Sequence, residues 1–121
     1  MDTRPYYNKT DIECIEIIEL MPFCLGNAFK YVYRAGFKDD EREDVEKAIY
    51  YLNRQLNIKY KPRYSRYLDC DFLQNFEAFP KWKKNTLWFI HSSRGSVEVG
   101  YLKLAITTLR ERLDETHQIQ P

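Results

Sequence analysis

The chain contains few cysteines and no long apolar run, and each scarcity removes a class of protein. Its three cysteines, Cys14, Cys24 and Cys70, include no C-x-x-C pair. This usage indicates free, buried thiols rather than a disulfide framework or a zinc site. The polar start, with Pro5, does not look like a signal peptide, and no apolar stretch approaches the roughly 20 residues that span a bilayer. We therefore expect a cytoplasmic protein without a membrane partner.

Net charge is also nearly absent, because 19 basic residues are balanced by 18 acidic ones. This balance gives no overall electrostatic reason to expect nucleic acid as a partner, so charge-based binding must come from local clusters. The basic, tyrosine-rich segment 57–67 could follow a nucleic-acid backbone, but a short basic connection is the simpler interpretation. The four glycines form no G-x-x-x-x-G-K-[ST] loop, which excludes a P-loop. A phosphate site would have to be built from helix side chains and helix ends.

Helical patterns account for most of the chain. Thr10 and Glu13 fit a capping box for a first helix that ends before Pro22. The second helix is predicted from Phe23 or Asn27 to Ala35, with Gly36 as a left-handed C-cap. A third helix over 41–56 begins with acidic residues, and the last covers about 96–115. An apolar run at 87–90 suits either a helix or a buried strand.

These elements predict an all-α protein, a small helical bundle whose aromatic-rich C-terminal part ends in a long helix. A length of 121 residues fits one domain, 1–121. Within it, 6–56 would form a helical core and 57–121 a C-terminal extension.

Acidic residues recur at i,i+3 spacing on two of the predicted helices, as Glu13 with Glu16 and Glu41 with Asp44. Residues at this spacing share one side of a helix. Four carboxylates facing each other across a bundle would suit Mg²⁺, a hard ion that prefers oxygen ligands. A solvated acidic face and internal salt bridges are the alternative interpretations.

Cations and tyrosines form a second group on the same helices. Guanidinium and ammonium groups on one helical face suit a phosphorylated ligand, since arginine grips phosphate oxygens bidentately. Surface cations, or basic partners for the acidic residues, remain the simpler interpretation, including an intrahelical Asp44–Lys47 pair. The candidate phosphate- and nucleotide-binding residues are Asn27, Lys30, Tyr31, Arg34, Lys38, Lys47 and Tyr51.

The order and spacing of these motifs resemble a phage family. The pattern runs from Ile12-Glu13-Cys14-Ile15-Glu16 through Cys24-Leu25-Gly26-Asn27, Lys30-Tyr31 and Arg34-Ala35-Gly36 to Asp44, Lys47-Ala48 and Tyr51. Over residues 6–56 it looks like the SaV-like family, a domain of unknown function that includes the nucleotide kinase of T7-like phages. Where that family usually begins with His-Tyr, this chain has Tyr6-Tyr7.

The resemblance implies a nucleotide-processing protein of the host cytoplasm that transfers phosphate to nucleoside monophosphates with Mg²⁺ and without a P-loop. Lys30, Arg34, Lys38 and Lys47 would then contact phosphates, and Tyr31 and Tyr51 the base or sugar. Two alternatives remain open. The four acids also resemble the ExxE…ExxD signature of MazG-like, all-α nucleoside triphosphate pyrophosphatases. The other alternative is a non-enzymatic protein that sequesters a nucleotide signal or binds a host protein. We expect a homo-oligomer.

Overall fold

Five helices make up the regular structure of the part of the chain that can be described. The computed structural model describes residues 14–37, 40–58, 76–95 and 97–119, with side chains described to His117. The helices are α1 (Cys14–Ile18), α2 (Phe23–Arg34), α3 (Glu41–Asn57), α4 (Lys81–Ser92) and α5 (Val99–Ile119). No strand occurs within these ranges, so the all-α prediction is confirmed. The apolar run at 87–90 is helical.

Four of the helices form a closed ring. α2 contacts α3, α3 contacts α5, α5 contacts α4, and α4 contacts α2, while α1 packs against α2. This is the arrangement of a helical bundle. Its core takes buried side chains from every helix, among them Ile17, Phe29, Leu52, Leu87 and Leu109. α4 and α5, which lie in the predicted C-terminal extension, therefore supply two sides of the same bundle.

The boundaries of α2 and α3 follow local signals in the sequence. α2 begins directly after Pro22, and Gly36 beyond its end has a φ of 85°, as the left-handed cap predicts. The side chain of Asp40 accepts a hydrogen bond from the backbone N–H of Arg42 at 2.9 Å, which makes it the N-cap of α3.

α1 ends earlier than predicted. Its helical residues end at Ile18, and a turn in which the Met21 N–H donates to the Ile18 carbonyl leads into Pro22. A residue that precedes proline is biased away from helical geometry, which favours an early end. The predicted capping residues, Thr10 and Glu13, lie outside the described residues.

Gly26 lets the end of α1 lie directly against α2. A Cβ atom at this position would lie 3.3 Å from the backbone oxygen of Ile18 and 3.7 Å from Cβ of Met21. Any side chain would therefore push the two helices apart. The glycine of the Gly26-Asn27 motif has this packing role.

Two further predictions concern the thiols and the membrane. Cys14 and Cys24 are free and buried, as predicted, while Cys70 lies outside the described residues. Among the described helices, none is both long enough and apolar enough to cross a bilayer.

Lys83 joins α4 to the end of α2 inside the core. Its side chain is only 2% exposed, and Nζ donates to the carbonyl oxygens of Tyr33 at 3.0 Å and Ala35 at 2.7 Å. Carbonyls at the end of a helix have no intrahelical partner, and a basic side chain is one of the groups that satisfies them. Nζ also lies 4.2 Å from the centroid of the Phe37 ring. Lys83 thus caps α2 from a neighbouring helix.

The burial of Lys83 makes stability depend on pH. Desolvation lowers the pKa of Lys83 from 10.5 to about 8, against the opposing effect of the Glu41 and Asp44 carboxylates. Between these two pH values the unfolded chain binds a proton that the folded chain has released, so this group makes the free energy of unfolding rise with pH.

We predict that wild type gains stability relative to Lys83→Met by on the order of 1–2 kcal/mol between about pH 7.5 and about pH 9.5. Urea unfolding of both proteins at each pH measures the difference. Comparison with Lys83→Met cancels the titration of groups that both chains share. Parallel stability profiles would show that the Lys83 pKa is not lowered.

Candidate functional site

Three cations surround one tyrosine ring on the surface shared by α2 and α3. The Tyr31 ring centroid lies 4.8 Å from Nζ of Lys30, 5.8 Å from Cζ of Arg34 and 5.5 Å from Nζ of Lys47. Tyr31 also stacks with Tyr51, with ring centroids 6.0 Å apart and planes 8° from parallel. We call these five residues the cation–tyrosine cluster.

The cluster exists because both helices are amphipathic. Each packs into the core through its apolar face, so the polar side chains of the cluster lie on the remaining surface. α2 buries Phe29, Val32 and other apolar side chains, and α3 buries Val45, Ala48 and Leu52. Residues i and i+4 share a face of a helix. That spacing places Lys30 with Arg34 on α2 and Lys47 with Tyr51 on α3. Five of the seven predicted nucleotide-binding residues are therefore brought together.

The cations of the cluster have different counterions. Lys47 pairs with Glu43 through Nζ and Oε1 at 3.0 Å, and this hydrogen bond raises the pKa of Lys47. Glu43 is 60% exposed, and an exposed pair of this kind is weak because water screens it. The predicted intrahelical pair between Asp44 and Lys47 is therefore replaced by one with Glu43.

Arg34 is tied to the core more firmly. Its Nε lies 3.7 Å from Oδ2 of Asp44, whose side chain is only 2% exposed. A buried carboxylate needs a cation beside it, because leaving it alone in the interior is costly. Arg34 therefore both contributes to the cluster and neutralises Asp44.

The predicted metal-binding carboxylates do not come together in the described part of the chain. Glu41 accepts two hydrogen bonds from Arg112, at 2.7 Å from Nε and 3.1 Å from Nη2. This pairing raises the pKa of Arg112 above its ordinary value. Glu16 is exposed on α1, and Glu13 lies outside the described residues.

Within the described ranges, no three acidic, histidine or cysteine side chains are placed to hold a metal ion. The two predicted ligands on α3, Glu41 and Asp44, each lie beside an arginine guanidinium. This arrangement corresponds to the internal salt bridges that the sequence left as an alternative. The magnesium set stays a prediction.

Of the two other predicted binding residues, Asn27 makes a local contact on α2 instead of joining the cluster. The side-chain amide of Asn27 donates to the carbonyl of Phe23 at 3.1 Å, one turn back on α2. Asn27 also lines a groove between α1 and α2. Lys38 lies outside the described residues.

Sequence reasoning missed the aromatic and amide groups that continue the cluster along α3. Tyr50 lies edge-on to Tyr51, with ring centroids 5.1 Å apart. Beyond it is a cavity of about 510 Å³ lined by Tyr50, Asn53, Arg54, Asn57 and Ile58. Lys47, Tyr50, Tyr51 and Arg54 follow i, i+3, i+4, i+7 spacing, the signal that would have extended the site.

The fold and this surface define a class: an all-α bundle that presents a cationic and aromatic face on its second and third helices. Residues 3–53 match the model of a protein family described as of unknown function, DUF3310. The match covers about two fifths of the chain and includes the whole cation–tyrosine cluster. No curated protein and no solved structure is significantly similar to the chain.

Proposed function

We propose that the cation–tyrosine cluster binds the phosphate groups of a nucleotide. The observation that carries this proposal is the convergence of Lys30, Arg34 and Lys47 on the single ring of Tyr31. Lys47 is paired with the exposed Glu43 and Arg34 with the buried Asp44, and a phosphate that replaces Glu43 brings its negative charge close to all three cations. Phosphate oxygens accept hydrogen bonds from both guanidinium and ammonium groups.

The neighbouring rings favour a nucleotide over a simple phosphate. Tyr31, Tyr51 and Tyr50 form a continuous aromatic surface beside the cations. Aromatic side chains stack on the planar faces of bases with little preference for the base. Cations at one end of an aromatic surface therefore match a ligand with phosphates at one end and a planar ring at the other.

The competing interaction at the site is weak. Within the described residues, the ion pair on Lys47 is the one with Glu43, and both side chains of that pair are well exposed. Such an exposed pair contributes little, because water screens it. Arg34 keeps its buried partner Asp44, so the exchange of counterions takes place at Lys47.

The resemblance to the phage SaV-like family and the match of residues 3–53 to a family model both cover this surface. We propose that the nucleotide chemistry is phosphate transfer between nucleotides, as the resemblance implies. The pairing of Glu41 with Arg112 and of Asp44 with Arg34 favours a second candidate, a protein that sequesters a nucleotide without turnover. The same pairing gives less support to a metal-dependent pyrophosphatase.

A nucleotide panel distinguishes these functions. The protein is incubated with Mg²⁺ and nucleoside mono-, di- and triphosphates or cyclic dinucleotides, and the products are separated by chromatography. A kinase yields diphosphates from monophosphates and a donor, whereas a pyrophosphatase yields monophosphates from triphosphates. A sequestering protein returns its ligand intact but melts at a higher temperature with it. Melting temperatures unchanged across the whole panel would rule out nucleotide binding.

A further inference from the structure

We infer that the base of the bound nucleotide lies in the cavity beyond Tyr50, where Asn53 and Asn57 select it. This inference rests on the proposed function, because the cation–tyrosine cluster places the phosphates. In this arrangement the base occupies the Tyr50 side of the cluster, and the two asparagines set the preference among bases.

Two hollows are lined by aromatic neighbours of Tyr51. Phe23 lies edge-on to Tyr51, with ring centroids 6.2 Å apart, and belongs to the groove between α1 and α2. Tyr50 lies edge-on to Tyr51 at 5.1 Å and belongs to the cavity at the end of α3.

Size favours the hollow beside Tyr50. Its volume is about 510 Å³, within the range of roughly 300–1,000 Å³ that small-molecule sites occupy. The groove beside Phe23 measures about 250 Å³, which is below that range. A base with its sugar therefore fits the first hollow better than the second.

The chemistry of the linings agrees with the sizes. The Phe23 groove is mostly apolar, with Ile15, Ile18 and Met21 among its lining residues. The other cavity combines an aromatic ring, two amides and a guanidinium. A base needs an apolar face to stack on and polar groups at its edge, and the cavity beside Tyr50 offers both.

Asn57 is suited to read the edge of a base. One N–H of its side-chain amide donates to the Asn53 carbonyl at 2.8 Å, which fixes the orientation of the amide. An asparagine amide has a second N–H and a carbonyl oxygen. A donor and an acceptor side by side are the pattern that an asparagine uses to pair with the edge of adenine.

The positions along α3 match the length of a nucleotide. Tyr50 follows Lys47 by one helical turn, about 5 Å along the axis, and Arg54 follows Tyr50 by another turn. The phosphate contacts and the base cavity are therefore neighbours along α3. The Tyr50 ring is 57% exposed, so its face is open to a ligand.

The test compares tripolyphosphate with the four common nucleoside triphosphates by titration calorimetry on the full chain. Wild type is expected to bind at least one nucleoside triphosphate tenfold or more tightly than tripolyphosphate. Tyr50→Ala should remove most of that difference and leave tripolyphosphate binding unchanged. Asn57→Ala should reduce the preference among the four bases. Phe23→Ala, the matched aromatic variant on the other side of Tyr51, should change neither.

The outcomes separate this inference from the proposed function. Equal affinity of wild type for tripolyphosphate and all nucleotides would overturn the base cavity and leave the phosphate site intact. A difference lost in Phe23→Ala but retained in Tyr50→Ala would place the base in the other groove. Absence of binding by every phosphate ligand would instead refute the proposed function. Because Tyr50 and Phe23 are both well exposed, neither variant removes a buried side chain.

Discussion

Replacing Lys83 with methionine is expected to lower the free energy of unfolding by about 2 kcal/mol and the melting temperature by roughly 10 °C. The substitution keeps most of the apolar stem and removes the ammonium group. The carbonyls of Tyr33 and Ala35 then lose the donor that lies 3.0 and 2.7 Å away. A buried carbonyl without a partner costs about 1–3 kcal/mol.

An opposing effect keeps this loss moderate. The lowered pKa of Lys83 shows that holding a charge at this position is itself unfavourable, and methionine removes that cost. We expect the loss of the donor to the two carbonyls to outweigh the removal of the buried charge, because replacing only one side of a buried polar interaction is destabilising. Thermal and urea unfolding at neutral pH measure the difference.

Lys81→Met is the matched control. Lys81 lies on the same helix, α4, but its side chain is exposed. The control makes the same chemical change, and its stability is expected to stay within about 0.5 kcal/mol of wild type. If Lys83→Met were as stable as this control, the cap on α2 would contribute nothing to the fold.

The combined substitution Lys30→Gln and Lys47→Gln is expected to weaken nucleotide binding by at least about tenfold. Each lysine lies within 6 Å of the Tyr31 ring centroid, and a hydrogen bond to a charged group contributes about 1.5–3 kcal/mol. A factor of ten corresponds to about 1.4 kcal/mol, so the loss of one such contact is enough. Titration calorimetry at fixed salt measures the affinity.

The design leaves Arg34 in place for a structural reason. Removing it would strand the buried carboxylate of Asp44, and the variant would be destabilised whatever its role in binding. Lys30 is half-buried and Lys47 is exposed, and the ion pair of Asp44 is with Arg34, so replacing the two lysines by glutamine tests binding without that complication.

A second double variant, Lys103→Gln with Arg110→Gln, controls for net charge. Both side chains are exposed on α5, and this variant also removes two positive charges. Its affinity should remain within about twofold of wild type at the salt of the cell, where distant surface charges are largely screened. An equal loss in both double variants would indicate a general charge effect and no specific site.

The parts of the fold that the sequence predicted are those with strong local signals. Gly36 has to adopt a positive φ, and Pro22 limits both the helix before it and the helix after it. Amphipathic spacing was enough to place Lys30 with Arg34 on one face of α2, and Lys47 with Tyr51 on one face of α3. These relations depend on residues within one turn of each other, so they can be read from one sequence.

The missed features depend on contacts between distant segments. Arg112 is separated from its partner Glu41 by 71 positions, and no local pattern joins them. Lys83 looks like an ordinary surface lysine, although it lies at helical spacing with the buried Leu87 and Ile90. A lysine within an apolar stripe is the signal that would have identified it.

The pairing of Arg112 with Glu41 also explains why the C-terminal helix matters to the site. Arg42 makes a parallel link, since its guanidinium donates to the carbonyl of Leu113 at 3.0 Å. Both contacts fix the first turn of α3 against α5. The helix that carries Lys47 and Tyr51 is therefore held by a part of the chain that lies beyond the matched residues 3–53.

The most direct measurement of the central claim is a titration of nitrogen-15-labelled protein with a nucleoside triphosphate, followed by two-dimensional NMR. If the cation–tyrosine cluster binds the phosphates, backbone amide shifts will be concentrated at residues 30–34 and 47–57. Amides of α4 and the first half of α5 will be largely unchanged. Spectra that do not change at millimolar nucleotide, or shifts confined to α4 and α5, would contradict nucleotide binding at this surface.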